Sequence, residues 1–122
     1  MPSALELLNA ATVTLVGSGN IKQRLVSAYR EQLVHLDAAP LPRDIRDSFE
    51  ALTVGLTRVR PLAGEDAVTA TVRKMSIEEA DRWAATVVAL LGAVHRSQLA
   101  AARPAAEVVS LYPAETASLN RA

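Results

Sequence analysis

Twelve consecutive residues, Trp83 to Val94, carry no charge, and helix signals bracket them on both sides. Upstream, Ser76-Ile-Glu-Glu79 has the capping-box form, in which a hydroxyl satisfies an orphan N–H and a glutamate reaches back to the cap. Downstream, Pro104 closes the run. A helix that crosses a bilayer needs about 20 apolar residues, so twelve predict a central helix covered by neighbours on several sides and no membrane span. Ile77, Ala80, Ala84, Val87, Leu91 and Val94 form one apolar stripe along it, and Trp83, Leu90 and Val94 a second.

The rest of the chain offers the neighbours. Ser3-Ala-Leu-Glu6 is another capping box, and it starts a helix with Leu5, Leu8, Thr12 and Leu15 on one face. Leu7 and Ala11 fall off that stripe, so this helix is apolar on more than one side. Gly17-Ser-Gly-Asn20 ends it, and Asn20 caps a second helix running to about Leu36, with Ile21, Leu25, Ala28, Tyr29 and Leu33 at helical spacing. Pro40 and Pro42 break the chain, and Pro42 suits the first turn of a third helix over 43–59. There Ile45, Phe49, Leu52, Leu56 and Val59 alternate steps of four and three. Gly55 inside it costs roughly 1 kcal/mol relative to Ala, which either admits a close neighbour or reflects drift.

Residues 65–75 admit two readings. Val-Thr-Ala-Thr-Val is β-branched and suits a strand, whereas Val68, Val72 and Met75 fit a short helix opened by Glu65 and Asp66. Nothing else in the chain looks like a strand partner, so the helix is preferred. The expectation is an all-α single compact bundle of four to five helices, with a long C-terminal helix and a short tail. The domain spans 1–104, and 105–122 is an Ala-rich tail, partly ordered at most, with one apolar cluster at Val108-Val109-Ser-Leu111-Tyr112.

Composition narrows the function classes. Of 122 residues, 13 are acidic and 13 basic, for a formal net charge of zero. A general nucleic-acid binder carries a basic excess that releases counterions from phosphates, and neutrality offers little resistance to self-association. There is no cysteine, which removes disulfides, thiolate metal sites and cysteine nucleophiles together. The N-terminal apolar stretch carries Glu6 and no basic flank precedes it, unlike a secretory signal, so a cytoplasmic location is expected. Arginine far outnumbers lysine and alanine is abundant, a bias typical of GC-rich bacterial genomes.

No catalytic constellation emerges, and no cofactor is expected. His35 and His95 each stand alone on their helices, without the ligand spacing that metal sites use. His35 suits a helix C-terminus, where a partly positive ring is favoured. Neither histidine has the surroundings of a phosphotransfer-bundle histidine, which a lysine and a small residue generally follow. Glu78, Glu79 and Asp81 sit where carboxylates complement the helix dipole, and this explains them without acid–base catalysis. Gly17-Ser-Gly lacks the flanking strand, third glycine and lysine of a nucleotide loop. Arg58, Arg60, Arg73 and Lys74 flank one turn and are candidates for an anion patch, set against an ordinary solvated face.

Three functions remain in play. The preferred one is a non-enzymatic protein–protein interaction module, self-associating as a homodimer or binding another protein. Four or five short helices can hardly cover every apolar face. Its candidate contact residues are Leu7 and Ala11 on the first helix and Trp83 and Leu90 on the long one. The second is a small-molecule-binding bundle, or an enzyme with an unrecognised site, holding a cavity lined by Trp83 and Tyr29. The third is a DNA-binding regulator using helices two and three. Against it, the turn with Pro40 and Pro42 is long and stiff, and Asp44 and Asp47 would repel phosphates.

Overall fold

The computed structural model describes residues 2–102. Five helices follow one another: α1 (Ala4–Leu15), α2 (Ile21–Glu31), α3 (Arg43–Thr57), α4 (Ala67–Lys74) and α5 (Ile77–Ala102). A 3₁₀ turn at Leu33–His35 follows α2, and among the described residues there is no strand. The apolar cluster predicted at 108–112 lies outside the described residues.

Local chemistry sets the helix starts. At α1, Ser3 Oγ accepts from Glu6 N at 3.1 Å while Ser3 N donates to Glu6 Oε1 at 2.8 Å. The same reciprocal pair forms at α2 between Asn20 and Gln23. Gly19 turns the chain into it with φ 94°, a left-handed conformation that a Cβ would strain. Asp66 Oδ1 accepts from Thr69 N at 3.0 Å and starts α4. The 65–75 segment is thus built around a helix, Ala67–Lys74, and not a strand. Thr71, fully buried, turns its hydroxyl to both needs: it donates to Ala67 O at 2.8 Å and accepts from Val59 N at 2.9 Å. A β-branched residue here ties the α3–α4 connection to α4 rather than building a strand.

Packing centres on α5, which touches α1, α2 and α3, while α2 and α3 also meet α4 and α1 meets α2. The fully buried side chains are almost all aliphatic: Leu8, Leu25, Leu33, Leu52, Leu56, Val72, Val87 and Val94. Each contributes on the order of 1.5–3 kcal/mol relative to an exposed position. Arg24 reaches across from α2 and donates to Leu15 O at 2.6 Å, satisfying a carbonyl at the α1 C-terminus that has no helical partner.

Three boundaries and faces differ from expectation. α2 stops at Glu31 and tightens into the 3₁₀ turn, so that Leu33 and Leu36 still point inward without a continuous helix. α3 ends at Thr57 rather than 59. On α1 the buried set is Leu7, Leu8, Ala11 and Leu15, with Leu5 half-buried. The core-facing side of α1 is therefore rotated from the Leu5–Thr12 stripe, because α2 and α5 pack on it from two directions.

Candidate interaction surface

The residues expected to form contacts are distributed unevenly between core and surface. Leu7, Ala11 and Leu90 are buried inside the monomer, and Trp83 is half-buried. Leu7, Ala11 and Leu90 are core positions and Trp83 packs partly buried against that core, because α5 is covered on more than one side, by α1 along one and by α3 along another. Trp83 lies against α3. A Cβ added at Gly55 would stand 2.1 Å from Trp83 Cζ2, so the glycine exists to admit the indole. The ring N–H donates to Glu79 Oε2 at 3.3 Å, and Arg58 Nη2 meets the same oxygen at 3.3 Å. Glu79 N still donates its capping bond to Ser76 Oγ at 3.0 Å. Its carboxylate is turned to the tryptophan and the arginine.

The basic group around the α3–α4 turn is partly neutralised by this arrangement. Arg58 pairs with Glu79, and Arg73 grips Glu65 through Nε and Nη2, both at 3.2 Å. That grip holds the Glu65 carboxyl below its ordinary range and raises the Arg73 guanidinium. Arg60 and Lys74 are exposed. Two of the four cations are thus paired with carboxylates. Tyr29 opens on a shallow depression beside Val34, Thr57 and Asp66, and desolvation raises its phenol pKa.

The surface feature that stands out runs along α5. Ile77, Val88 and Leu99 are 60%, 49% and 57% exposed, and they fall on one side of the helix. Ala84, Leu91 and Gly92 fill the same side, half-buried, with Asp81 and His95 exposed among them. The core side of the helix is different: Ala80, Val87, Leu90 and Val94. Beside the exposed strip lies a groove of about 530 Å³ between α1 and α5. Its walls are Leu5, Val88, Leu91 and Gly92, and Glu6, Asn9 and His95 stand among them.

α5 is long and apolar enough, by length and composition, to cross a bilayer, yet only 17% of its most apolar 18-residue window is buried. A membrane role would pull Val87, Leu90 and Val94 out of the core they complete. The outward side of the helix, with Val88, Ala89 and Leu99 on it, is left uncovered by the other described helices. Among the described residues, no group of three or more His, Asp or Glu is placed to hold a metal ion. His35 is exposed at the 3₁₀ turn, and Glu78 and Asp81 are exposed in the opening turns of α5.

Compared with protein-family models, with curated proteins and with solved structures, the chain matches none.

Proposed function

We propose that this protein is a helical interaction module that acts by self-association through the outer strip of α5 and the groove beside it. The observation that carries the reading is the alignment of Ile77, Val88 and Leu99. Isolated exposed aliphatics are ordinary on any protein. Three on one side of a single helix, the middle one lining an apolar groove, concentrate exposed apolar surface on one face, and such surface marks interfaces. Formal neutrality supports the reading, since no net charge opposes the approach of a second copy.

Sedimentation velocity across a range from low micromolar to near millimolar protein tests it. A monomer–dimer equilibrium is expected, shifted to monomer by Val88→Glu with the helical circular dichroism unchanged. A chain that sediments as a monomer throughout would remove self-association as its mode of action.

The α1–α5 groove also supports a second reading, as a pocket for a small apolar ligand. Its volume lies within the range of ligand sites, and Glu6, Asn9 and His95 supply the few polar groups such sites use for orientation. Thermal-shift screening separates the two: a ligand that raises the melting temperature and is lost on Gly92→Leu, in a protein that stays monomeric, favours the pocket.

A further inference from the structure

We propose that two copies pair their α5 helices antiparallel, about a twofold axis that passes beside Val88. The proposal rests on the self-association reading above and adds the orientation and register. In a twofold antiparallel contact, residues equally far before and after the axis lie opposite one another. With the axis at Val88, Ile77 faces Leu99 of the second copy, Asp81 faces His95, Ala84 faces Gly92, and Val88 faces itself. The two exposed aliphatics at the ends of the strip thus cover each other, and the small residues near the middle let the helix axes come close.

Charge fixes the direction. A parallel pairing sets Asp81 against Asp81 and His95 against His95, which places two carboxylates together at a closing interface. The antiparallel pairing sets each carboxylate against an imidazole that donates a hydrogen bond to it. Glu6, across the groove from His95, adds a second acidic neighbour from α1. Length fixes the register. Ile77 to Leu99 covers roughly 33 Å of helix, and only an axis at Val88 sets these two end residues against each other; one turn toward the N-terminus leaves Leu99 opposite no residue of α5. Gly92 needs no room of its own: a Cβ there would meet only the end of the Arg96 side chain, at 3.1 Å.

The absence of cysteine from the chain makes the test clean. Val88→Cys places a single thiol beside the axis, so mild oxidation or a short bismaleimide is expected to link two copies under native conditions. Val54→Cys, more accessible still and on α3, is expected to remain unlinked. A mixture of Ile77→Cys and Leu99→Cys proteins should cross-link, whereas neither does so alone. Asp81→Lys should weaken the dimer about tenfold, and adding His95→Glu should restore it, since the pair is reversed rather than removed. All these positions are exposed, so the fold is retained. If the native chain dimerises in sedimentation but Ile77→Cys links to itself, or Val88→Cys does not link, the antiparallel register is wrong and self-association stands. If the native chain is monomeric at every concentration, both the register and the reading beneath it fall.

Discussion

Gly55 leaves on α3 the space that the Trp83 indole occupies. The site of a Cβ at residue 55 lies 2.1, 2.6 and 2.8 Å from three atoms of the indole, too close for any side chain unless the ring moves. Helix propensity alone makes Gly55→Ala stabilising by roughly 1 kcal/mol. Overpacking costs about 1–3 kcal/mol, and displacing the indole also breaks the Trp83–Glu79 bond, so the expected result is net destabilisation. Urea unfolding measures it, and the fluorescence of the single tryptophan should shift to the red as its ring is pushed outward. In a Trp83→Ala background the same substitution should become stabilising, a reversal that a double-mutant cycle reads directly. A stabilising Gly55→Ala in the native background would show that the ring yields freely. The sequence left open whether this glycine admitted a neighbour, because a helical pattern shows an internal glycine's cost and not what lies against it. The neighbour turned out to be a side chain from 28 positions downstream.

Helix by helix, the caps were the most legible part of the chain, because a capping box is local. Ser3–Glu6 formed in full, Asn20 capped α2 as its sequence implied, and Ser76 bonded Glu79 N. The reach of Glu79 was not legible, since it depends on Arg58 and Trp83 arriving from tertiary packing. The apolar strip was missed for a similar reason. α5 is apolar on two sides, and periodicity cannot say which side α1, α2 and α3 will cover. Ile77 and Val87 therefore read as one stripe, although one is exposed and the other fully buried. The caps also carry an acid response. The Ser3 backbone N–H, then its hydroxyl, holds Glu6 below its ordinary value of 4.5. The Arg73 guanidinium does the same for Glu65, and the hydroxyl and N–H of Thr69 do so for Asp66. A carboxylate whose native pKa is depressed binds its proton more readily in the unfolded chain, so its stabilisation is complete above the unfolded pKa. It is lost as pH falls through the native one. Stability should accordingly decline below about pH 4.5, and Glu6→Gln with Glu65→Gln should flatten that decline. Asp66→Ala should cost about 1 kcal/mol at neutral pH by uncapping the eight-residue α4. Asp66→Asn should cost little, because asparagine caps as well. Chemical denaturation as a function of pH measures all three, and an unchanged acid limb in the double variant would exclude these two carboxylates as its source.

For the molecule as a whole, the decisive contrast lies between two residues two positions apart on α5. Val88 is 49% exposed and Leu90 is 4% exposed. Leu90 faces α3 and the core, so Leu90→Ala removes buried methyl groups and leaves a cavity, at a cost of about 2–5 kcal/mol. That loss belongs to the monomer, and the melting temperature should drop by the same amount at every protein concentration. Val88 belongs to the surface strip. The self-association proposed above would couple folding to mass action and make the native melting temperature rise with concentration, each tenfold increase adding about 1.4 kcal/mol per dimer. Val88→Glu should abolish that rise while leaving the dilute-limit melting temperature close to that of the native chain. Scanning calorimetry over a wide concentration series therefore sorts core from interface without any partner in hand. Should Val88→Glu lower the dilute-limit melting temperature as much as Leu90→Ala does, the strip would be part of the monomer's own packing. A native melting temperature independent of concentration would leave the strip with no second copy to cover it.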